Sequence, residues 1–526
     1  MPKLSPVRRV ALLFAFGLGG AAAMPALAQT VEIAQGAVRG EAQGDVTAYR
    51  GIPYGAPPVG ARRWSPPEPA PAWQGVRDAR RYGPACIQPE MWQERAPDQS
   101  EDCLNLNVWT PRKAGSRAAP MPVMVWIHGG GFVVGSNAMP VYDGAQFARR
   151  DVVLVSINYR LGLLGFFAHP ALLAQSPDAP TGNFGLLDTV AALEWVKQNI
   201  AAFGGDPHNV TIFGESAGAA MVNDLMVSPR ARGLFHKAIS QSGFNRNSAP
   251  PALGDGPFTG EATAMRFAAG QAIEGRDATA AEALRALPAE LFASPEVGLG
   301  MALPMIDGYT LPEQPEEAFA AGHEAPVPFI TGSNSWEASL MRESIAQDPE
   351  RALTSLGPLQ SKVEAAYARS GDRLAMAQDV RTDVTSTEPV RHLARLHAAN
   401  GQPSYAYFFD YVPKALRAQF PGAGHGSEIP FVFDNLTDEG FTFYGAPQPP
   451  ATAQDHAIAK AAIGYWVNFA RDGSPGAVDG VEWKPITPED AFLTFRDEEP
   501  EMQLHFRSDK LDLLEAVPAQ TRSPIG

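Results

Sequence analysis

Short apolar runs alternate with segments of helical periodicity along most of the chain. Residues 121–128 and 152–158 are almost continuously apolar, which is typical of strands buried on both faces of a parallel sheet. In segment 187–199, apolar residues recur at nearly helical spacing, with an acidic residue near its start and a lysine near its end. This alternation predicts an α/β protein with a large, mostly parallel central sheet and helices on both faces.

The same pattern continues over the rest of the chain. Residues 104–109 alternate apolar and polar positions, so we expect a strand near a sheet edge. We predict that segments 258–300 and 348–400 are mostly helical and form cap insertions over the sheet. Further expected elements are a hairpin over 29–45, strands over 210–213, 237–243, 327–332, 405–411 and 502–507, and a helix over 457–471. Because no repeat or linker divides the chain, residues 29–526 are predicted to form a single domain.

The first 28 residues have the pattern of a secretory signal peptide. Lys3, Arg8 and Arg9 precede an apolar stretch over 10–18, and a cleavage site of small residues ends at Ala28. We therefore expect cleavage after Ala28 and a periplasmic or secreted protein. A membrane anchor is the alternative, but the apolar stretch is short and rich in Gly and Ala, so no stable anchor is expected.

Charge narrows the classes of partner. Cleavage would remove three basic residues and no acidic one, which takes the net charge from −15 to −18. A protein this acidic binds nucleic acids and anionic membranes poorly, so we expect neither as a partner. The histidines are scattered without metal-ligand spacing, and we expect no metal and no cofactor. We predict a monomer or a weak homodimer that acts on a small molecule.

The two cysteines, Cys86 and Cys103, are expected to pair in an exported protein. The loop that they would close is close to the ~15-residue case, for which the chain-entropy model gives about 3 kcal/mol. Two free buried thiols are the alternative.

A serine stands where one predicted strand turns into a helix. The sequence Gly214-Glu215-Ser216-Ala217-Gly218 follows the strand over 210–213 and precedes a helix-favouring run. This is the G-x-S-x-G pattern of a nucleophile elbow, in which a tight turn raises the serine hydroxyl above the sheet edge. Because chance could nearly supply the five residues alone, the pattern remains a hypothesis until partners are found.

A nucleophilic serine needs a base within hydrogen-bond reach. We favour His425, because it lies in the Gly-rich loop 421–426 directly after a predicted strand. A loop histidine without function is the alternative. Four other histidines lie in the second half of the chain. We assign His392 and His397 to a solvated helix, His456 to a helix start and His505 to a short strand.

The base in turn needs an orienting acid. Glu337 lies just beyond the strand over 327–332, in the position that the chain order serine, acid, histidine requires. Asp307 is the other candidate, although its surroundings resemble a turn. Glu215, adjacent to the serine, is expected to point elsewhere and not to orient the histidine.

Backbone donors are needed for the oxyanion of the tetrahedral intermediate. Three consecutive glycines end the buried strand over 121–128, where side chains would block the approach of a carbonyl. We therefore assign the oxyanion hole to Gly130, Gly131 and Ala217, the residue after the serine. A flexible loop is the alternative for the glycines.

Taken together, these motifs resemble the type-B carboxylesterase/lipase family, which includes the cholinesterases. Segment 203–218 is similar to the family's serine signature, and 101–109 to its second signature, with Asn105 where an aromatic is more usual. Further similar segments, in the same order along the chain, are 51–54, 128–132, 425–429 and 465–470. The resemblance extends over residues 31–485.

The resemblance implies an α/β-hydrolase fold and a serine carboxylic-ester hydrolase. It implies Ser216 as nucleophile, His425 as base and Glu337 as acid, together with the oxyanion hole above and a Cys86–Cys103 disulfide. One departure is that Trp336 and Ala338 flank the glutamate where the family often has an acidic residue and a glycine. The extra cysteines of the animal members are also missing.

The expected reaction is two-step acyl transfer through an acyl-enzyme on small to medium carboxylic esters, with bulky esters left open. We assign Glu215, Trp92 and Phe132 to the substrate pocket, and Ser242 to a position behind the triad. Trp92 lies one residue from the spacing of the cation-binding tryptophan of cholinesterase-like relatives. A non-catalytic adhesion or binding protein of the same fold is the competing hypothesis.

Overall fold

The structure, a computed structural model, describes residues 29–91, 98–112, 119–178, 180–243, 246, 251–254, 256–298, 303–368, 372–443 and 446–517. In chain order its strands are β1 (Thr30–Ile33), β2 (Gly36–Arg39), β3 (Glu41–Gln43), β4 (Val46–Pro53), β5 (Val76–Asp78), β6 (Asn105–Pro111), β7 (Met121–Ile127), β8 (Val153–Ile157), β9 (Gly205–Glu215), β10 (Lys237–Gln241), β11 (Phe329–Asn334), β12 (Ser404–Phe409), β13 (Phe441–Phe443), β14 (Ala446–Gln448), β15 (Ala477–Val478), β16 (Val481–Glu482), β17 (Phe492–Phe495) and β18 (Pro500–Gln503).

The helices lie mainly between the strands of the central sheet. They are α1 (Ala145–Ala148), α2 (Gly162–Gly165), α3 (Pro170–Leu173), α4 (Phe184–Asn199), α5 (Ala217–Val227), α6 (Gly260–Gly270), α7 (Ala278–Arg285), α8 (Pro295–Gly298), α9 (Pro315–Ala321), α10 (Arg342–Gln347), α11 (Pro349–Thr354), α12 (Gln360–Ala366), α13 (Arg373–Thr382), α14 (Glu388–Ala399), α15 (Ile429–Val432), α16 (Ala453–Asp472) and α17 (Ser508–Leu514). A π-helical turn, Asp383–Thr387, joins α13 to α14.

The central sheet has 11 strands in the order β18-β17-β12-β11-β10-β9-β7-β8-β6-β4-β3. From β8 through β7, β9, β10, β11 and β12 to β17, every neighbouring pair is parallel. The pairs at both ends are antiparallel. The predicted α/β fold with a large, mostly parallel sheet is therefore confirmed.

Both faces of this sheet are covered by apolar packing. Alternate residues of β7 point to opposite faces, so Val125 belongs to one buried cluster and Trp126 to the other. The first cluster contains residues of α4 and α5, and the second contains residues of α16. A strand buried on both sides must be apolar at nearly every position, which explains the continuous run over 121–128.

Strand β6 lies two strands in from the β3 edge, near an edge as predicted, but its alternation does not mark an exposed face because Asn107 is itself buried. The Asn107 amide nitrogen donates to the carbonyl of Asn137 and to the hydroxyl of Ser156, both at 3.0 Å, so polar groups are tolerated inside.

The helical segment 348–400 is also more than a cap. Its last helix, α14, packs directly on the sheet, where Val390 and Ala394 share a buried cluster with Phe408 of β12. Helices α11, α12 and α13 form a separate apolar cluster with Leu511 and Leu514 of α17. The predicted strand over 502–507 ends at Gln503, after which the chain turns.

Candidate active site

The turn between β9 and α5 holds Ser216 in a strained backbone conformation. Its φ of 57° and ψ of −122° lie in a region that non-glycine residues rarely adopt. Its backbone N–H donates to the carbonyl of Gln241 on β10 at 2.9 Å. The serine is the N-cap residue of α5, but its side chain makes no capping hydrogen bond. The hydroxyl is therefore not used to cap the helix.

The glycines on either side of the serine are required by close backbone packing. A Cβ atom on Gly214 would lie 2.6 Å from the carbonyl oxygen of Ile127, and one on Gly218 would lie 2.0 Å from the same oxygen. Real Cβ contacts are not this short, so larger residues would push the elbow away from β7. The G-x-S-x-G pattern therefore has a steric cause in this fold.

The glycine loop after β7 lies against the elbow. A Cβ on Gly129 would be 3.1 Å from Cβ of Ser216, and one on Gly130 would be 2.0 Å from the carbonyl oxygen of Val134. Gly130 and Gly131 have φ values of 107° and 62°, which favour glycine. The structure thus brings the predicted oxyanion residues Gly130 and Gly131 to the same strand-end as Ala217, the first residue of α5.

His128 precedes the glycine loop and contacts its backbone. Its ring stacks on Tyr159 with centroids 4.6 Å apart, and its Nδ1 lies 2.9 Å from the carbonyl oxygen of Gly129. Burial lowers the pKa of His128 to about 4, so the ring is neutral at physiological pH. Sequence reasoning gave this histidine no separate role, although it opens the segment 128–132 that carries the resemblance.

Glu337 and His425 form a short hydrogen bond. Nδ1 of His425 lies 2.5 Å from Oε2 of Glu337, and the glutamate side chain is fully buried. The other carboxylate oxygen, Oε1, accepts the hydroxyl of Ser242 at 2.5 Å and the backbone N–H of Asn334 at 2.7 Å. The acid that sequence order selected is therefore held by three donors and faces the histidine.

Asp307, the other candidate acid, is occupied elsewhere. Its Oδ1 accepts the backbone N–H groups of Tyr309, Thr310 and Leu311, which makes it the centre of a turn. Its Oδ2 accepts from Thr181 and Asn183. No contact with His425 is found for this carboxylate among the described residues.

Glu215 does not point away from the histidine, contrary to the expectation. Its Oε1 lies 3.1 Å from Nε2 of His425, and the residue is completely buried. Burial raises the pKa of Glu215, and the neighbouring carboxylates of Glu428 and Glu337 raise it further against the pull of the imidazole. Burial alone would lower the pKa of His425, but Glu215 and Glu337 together raise it above its ordinary value.

A polar network behind the triad candidates was missed by sequence reasoning. Glu428, three residues after His425, is buried and accepts from Gln241 at 3.1 Å and from Asn334 at 2.6 Å. The Trp466 indole donates to the side-chain oxygen of Gln241 at 3.0 Å. Glu428 and Trp466 both lie in segments that carry the family resemblance, which was the available signal.

The other histidines lie outside this site. His397 was expected to be solvated, but it is buried because α14 packs on the sheet, and its Nδ1 lies 2.8 Å from Oε1 of Glu324. His505 was assigned to a strand, but it sits in a turn with φ of 54°. His392, also expected to be solvated, is largely buried near Glu316, whereas the more exposed His456 lies near Asp438.

The structure places the remaining predicted residues as follows. Phe132 is buried, with its ring 5.3 Å from that of Phe166, centroid to centroid. Trp92 lies outside the described residues. Cys86 and Cys103 form the predicted disulfide.

Within the described ranges, no three His, Cys, Asp or Glu residues are grouped so that they could hold a metal ion. None of their helices combines the length and the apolar character that crossing a membrane requires.

Comparisons with known proteins show which family this chain is similar to. The profile of the Carboxylesterase family matches residues 27–514. Fumonisin B1 esterase of Sphingopyxis macrogoltabida is 37% identical over 492 residues, covering 90% of this chain and 89% of the relative. Para-nitrobenzyl esterase of Bacillus subtilis is 35% identical over 477 residues, covering 86% and 92%. The crystal structure of a Geobacillus stearothermophilus carboxylesterase superposes with a TM-score of 0.78 at 34% identity, covering 92% of this chain and 99% of that one.

Proposed function

The chain belongs to the carboxylesterase family and is a carboxylic ester hydrolase, and we propose that it works through a Ser216–His425–Glu337 triad. The observation that carries the proposal is the 2.5 Å contact between Glu337 and Nδ1 of His425, with the strained elbow serine at the end of β9, two strands from β11 in the same sheet. Such a contact leaves Nε2 as the nitrogen that can take a proton from the serine hydroxyl.

The proposed reaction has two steps. His425 accepts the proton of Ser216 through Nε2 while the serine oxygen attacks the ester carbonyl. Backbone N–H groups of Gly130, Gly131 and Ala217 hold the oxyanion, and the alcohol leaves with the proton from His425. Water, deprotonated by the same histidine, then releases the acid. The buried carboxylate of Glu337 stabilises the imidazolium that forms in each step.

We propose small to medium carboxylic esters as substrates, with bulky esters left open. One relative is named for para-nitrobenzyl esters and another for fumonisin B1, which supports more than one kind of ester as a substrate within the family. Phe132 and Glu215 lie close to the oxyanion loop and the elbow, and we retain them, with Trp92, as pocket residues. A series of p-nitrophenyl esters of increasing acyl length would define the preferred size.

The decisive experiment compares p-nitrophenyl acetate hydrolysis by purified protein and by Ser216→Ala. We expect the variant to lose at least ~10³-fold in kcat. A serine-reactive phosphonate should attach to Ser216 in the wild type, as seen by peptide mass spectrometry. Equal rates in both proteins, or attachment elsewhere, would contradict the assignment of the nucleophile.

We further propose that the protein is exported and cut after Ala28. The basic start, the apolar stretch and the small-residue site support export, and the Cys86–Cys103 disulfide is typical of oxidising compartments. The intact mass of protein taken from the periplasm or medium would test the cleavage site. We also propose a monomer or weak homodimer, which light scattering after size exclusion would test.

A further inference from the structure

Asn334 contacts both Glu337, the proposed acid, and the Gly-rich loop 421–426 that contains His425, called here the histidine loop. Asn334 ends β11 and is completely buried. Its backbone N–H donates to Oε1 of Glu337 at 2.7 Å. Its side-chain Nδ2 donates to the carbonyl of Gly424 at 2.8 Å and to Oε2 of Glu428 at 2.6 Å. One residue therefore reaches the proposed acid and both sides of His425.

The two acceptors match the two hydrogens of the Asn334 amide nitrogen, so the side chain is held in one orientation. The chain of contacts continues through the other oxygen of Glu428, which accepts from Gln241, to the indole of Trp466 on α16. Buried polar groups with partners on several elements resist displacement, because each lost hydrogen bond leaves a desolvated group unpaired. Asn334 is thus fixed with respect to the sheet and to α16.

The histidine loop needs hydrogen bonds of this kind to hold its backbone in one conformation. Residues 422–426 contain three glycines, and glycine gives a backbone more conformational freedom than any other residue. The residues after β11 also bind this loop: the Ser339 hydroxyl accepts from the N–H of His425 at 2.9 Å, and the Trp336 N–H donates to the carbonyl of Ala423 at 2.8 Å. These contacts hold the loop on one side of His425 only.

We propose that Asn334 is a positioning residue that holds Glu337 and the segment around His425 in register, so that the imidazole keeps its orientation toward the serine. The proposal rests on the triad function proposed above. Because Asn334 is buried behind the acid and the histidine loop, its loss should lower kcat and leave KM nearly unchanged.

The test is Asn334→Asp, which keeps the shape but replaces both donors by oxygen. For p-nitrophenyl acetate we expect kcat to fall about tenfold or more, as for loss of a buried hydrogen bond to a charged group, with KM within about twofold. Asn183→Asp is the matched control, because the Asn183 amide also donates to a carbonyl, that of Met305 at 2.7 Å, and to a carboxylate, that of Asp307 at 2.9 Å. The control should lose thermal stability and keep kcat within about twofold.

A second variant tests the coupling directly. In the double variant Asn334→Asp with Glu428→Gln, the new amide at position 428 can donate to the new carboxylate at 334, while its oxygen still accepts from Gln241. We expect the double variant to have a higher kcat than the product of the two single effects predicts. In Glu428→Gln alone, one oxygen must serve two donors, and kcat should fall with KM unchanged.

Each outcome bears on the proposal. It is overturned if Asn334→Asp retains kcat as well as Asn183→Asp does, or if the double variant shows no recovery. If Asn334→Asp does not fold, Glu428→Gln decides, and an unchanged kcat in that variant overturns the proposal. The comparison of the wild type with Ser216→Ala is a separate measurement. A failure of the triad assignment would therefore be recognised independently of the Asn334 variants.

Discussion

Oε1 of Glu215 lies 3.1 Å from Nε2 of His425, the ring nitrogen opposite the one that faces Glu337. The imidazole therefore lies between two buried carboxyl groups. Glu337 faces Nδ1, and Glu215 faces Nε2, the nitrogen of the proposed proton transfer. Glu337 and the ionised form of Glu215 stabilise the protonated ring, whereas the proposed base must be neutral. Burial raises the pKa of Glu215, and protonation of this carboxyl removes its effect on the ring. The pH dependence of the enzyme should consequently depend on Glu215.

We predict that Glu215→Gln moves the acidic limb of kcat/KM to lower pH. Burial lowers the pKa of His425, but Glu215 and Glu337 raise it above its ordinary value, so removing one carboxylate lowers it. The neutral base then persists in more acidic solution, by about 1 pH unit or more. Rates measured from pH 4 to 9 would show the shift, and Glu282→Gln on the exposed face of α7 should not. An unmoved limb would mean that Glu215 is uncharged over this range.

Ser242 should contribute to the orientation of Glu337. Its hydroxyl donates to Oε1 of that carboxylate at 2.5 Å in a fully buried setting. We expect Ser242→Ala to lower kcat by up to about 10-fold, the effect of roughly 1.5 kcal/mol, with little change in KM. Ser240→Ala is the control, because that buried hydroxyl on β10, two residues before Ser242, donates to the carbonyl of Ala219 instead. Equal kcat values for the two variants would show that the Ser242 contact has no catalytic effect.

The two oxyanion glycines should differ in their tolerance of alanine. A Cβ on Gly130 would meet the carbonyl oxygen of Val134 at 2.0 Å, whereas one on Gly131 meets nothing within 4 Å. Gly130→Ala must displace the loop, and we expect kcat to fall ~10²-fold or more, as when an oxyanion donor is lost. Gly131→Ala, strained only by its positive φ, should retain more activity. The reverse order of kcat values would contradict this account of the loop.

Asp224 should make stability depend on pH. It is buried on α5, and burial raises the pKa of its carboxyl from 3.8 to about 8. A raised folded-state pKa contributes stability that is fully present below the unfolded pKa and is lost as pH rises through the folded value. Between pH 4 and 8 this loss can reach about 1.4 kcal/mol per pH unit, and Asp224→Asn should remove it.

The measurement is the free energy of unfolding by urea at several pH values in that window. Asp178→Asn, at an exposed site, serves as the control. Parallel pH profiles for the wild type and Asp224→Asn would show that this carboxyl does not titrate with folding.

The disulfide should stabilise the fold without taking part in the reaction. Cys86 and Cys103 are 17 positions apart, and closing a loop of this size gives about 3 kcal/mol in the chain-entropy model. We expect the double variant Cys86→Ala with Cys103→Ala to unfold at lower urea concentration and to keep kcat at moderate temperature. An unchanged unfolding midpoint would indicate that the loop is held by other contacts.

Local patterns were sufficient for much of the fold. The apolar run over 121–128 identified a strand covered on both faces, because such a strand cannot expose polar residues on either side. The order of Ser216, Glu337 and His425 along the chain selected an acid that lies 2.5 Å from the histidine. Each of these inferences used a constraint that operates over a few residues or over chain order.

Position within the sheet and the environment of single side chains needed the tertiary structure. Residues 104–109 alternate like a strand with one exposed face, yet β6 is buried, because Asn107 finds partners on other elements. The composition of its helix predicted a solvated His397, but the packing of α14 buries this histidine beside Glu324. Helical or strand periodicity cannot show which elements pack on a given face.

The sequence alone determined the elbow of Ser216, the glycines that its close packing requires, the chain order of its proposed partners and the mostly parallel sheet. These follow from local sterics and periodicity, which neighbouring residues dictate. Only the tertiary structure decided that Glu215 faces His425 and that Asn334 reaches the acid and the histidine loop. The contacts of Asn334 with Gly424 and Glu428 join residues 90 and 94 positions apart, and that of Glu215 with His425 joins residues 210 positions apart, so they depend on how the strands are ordered.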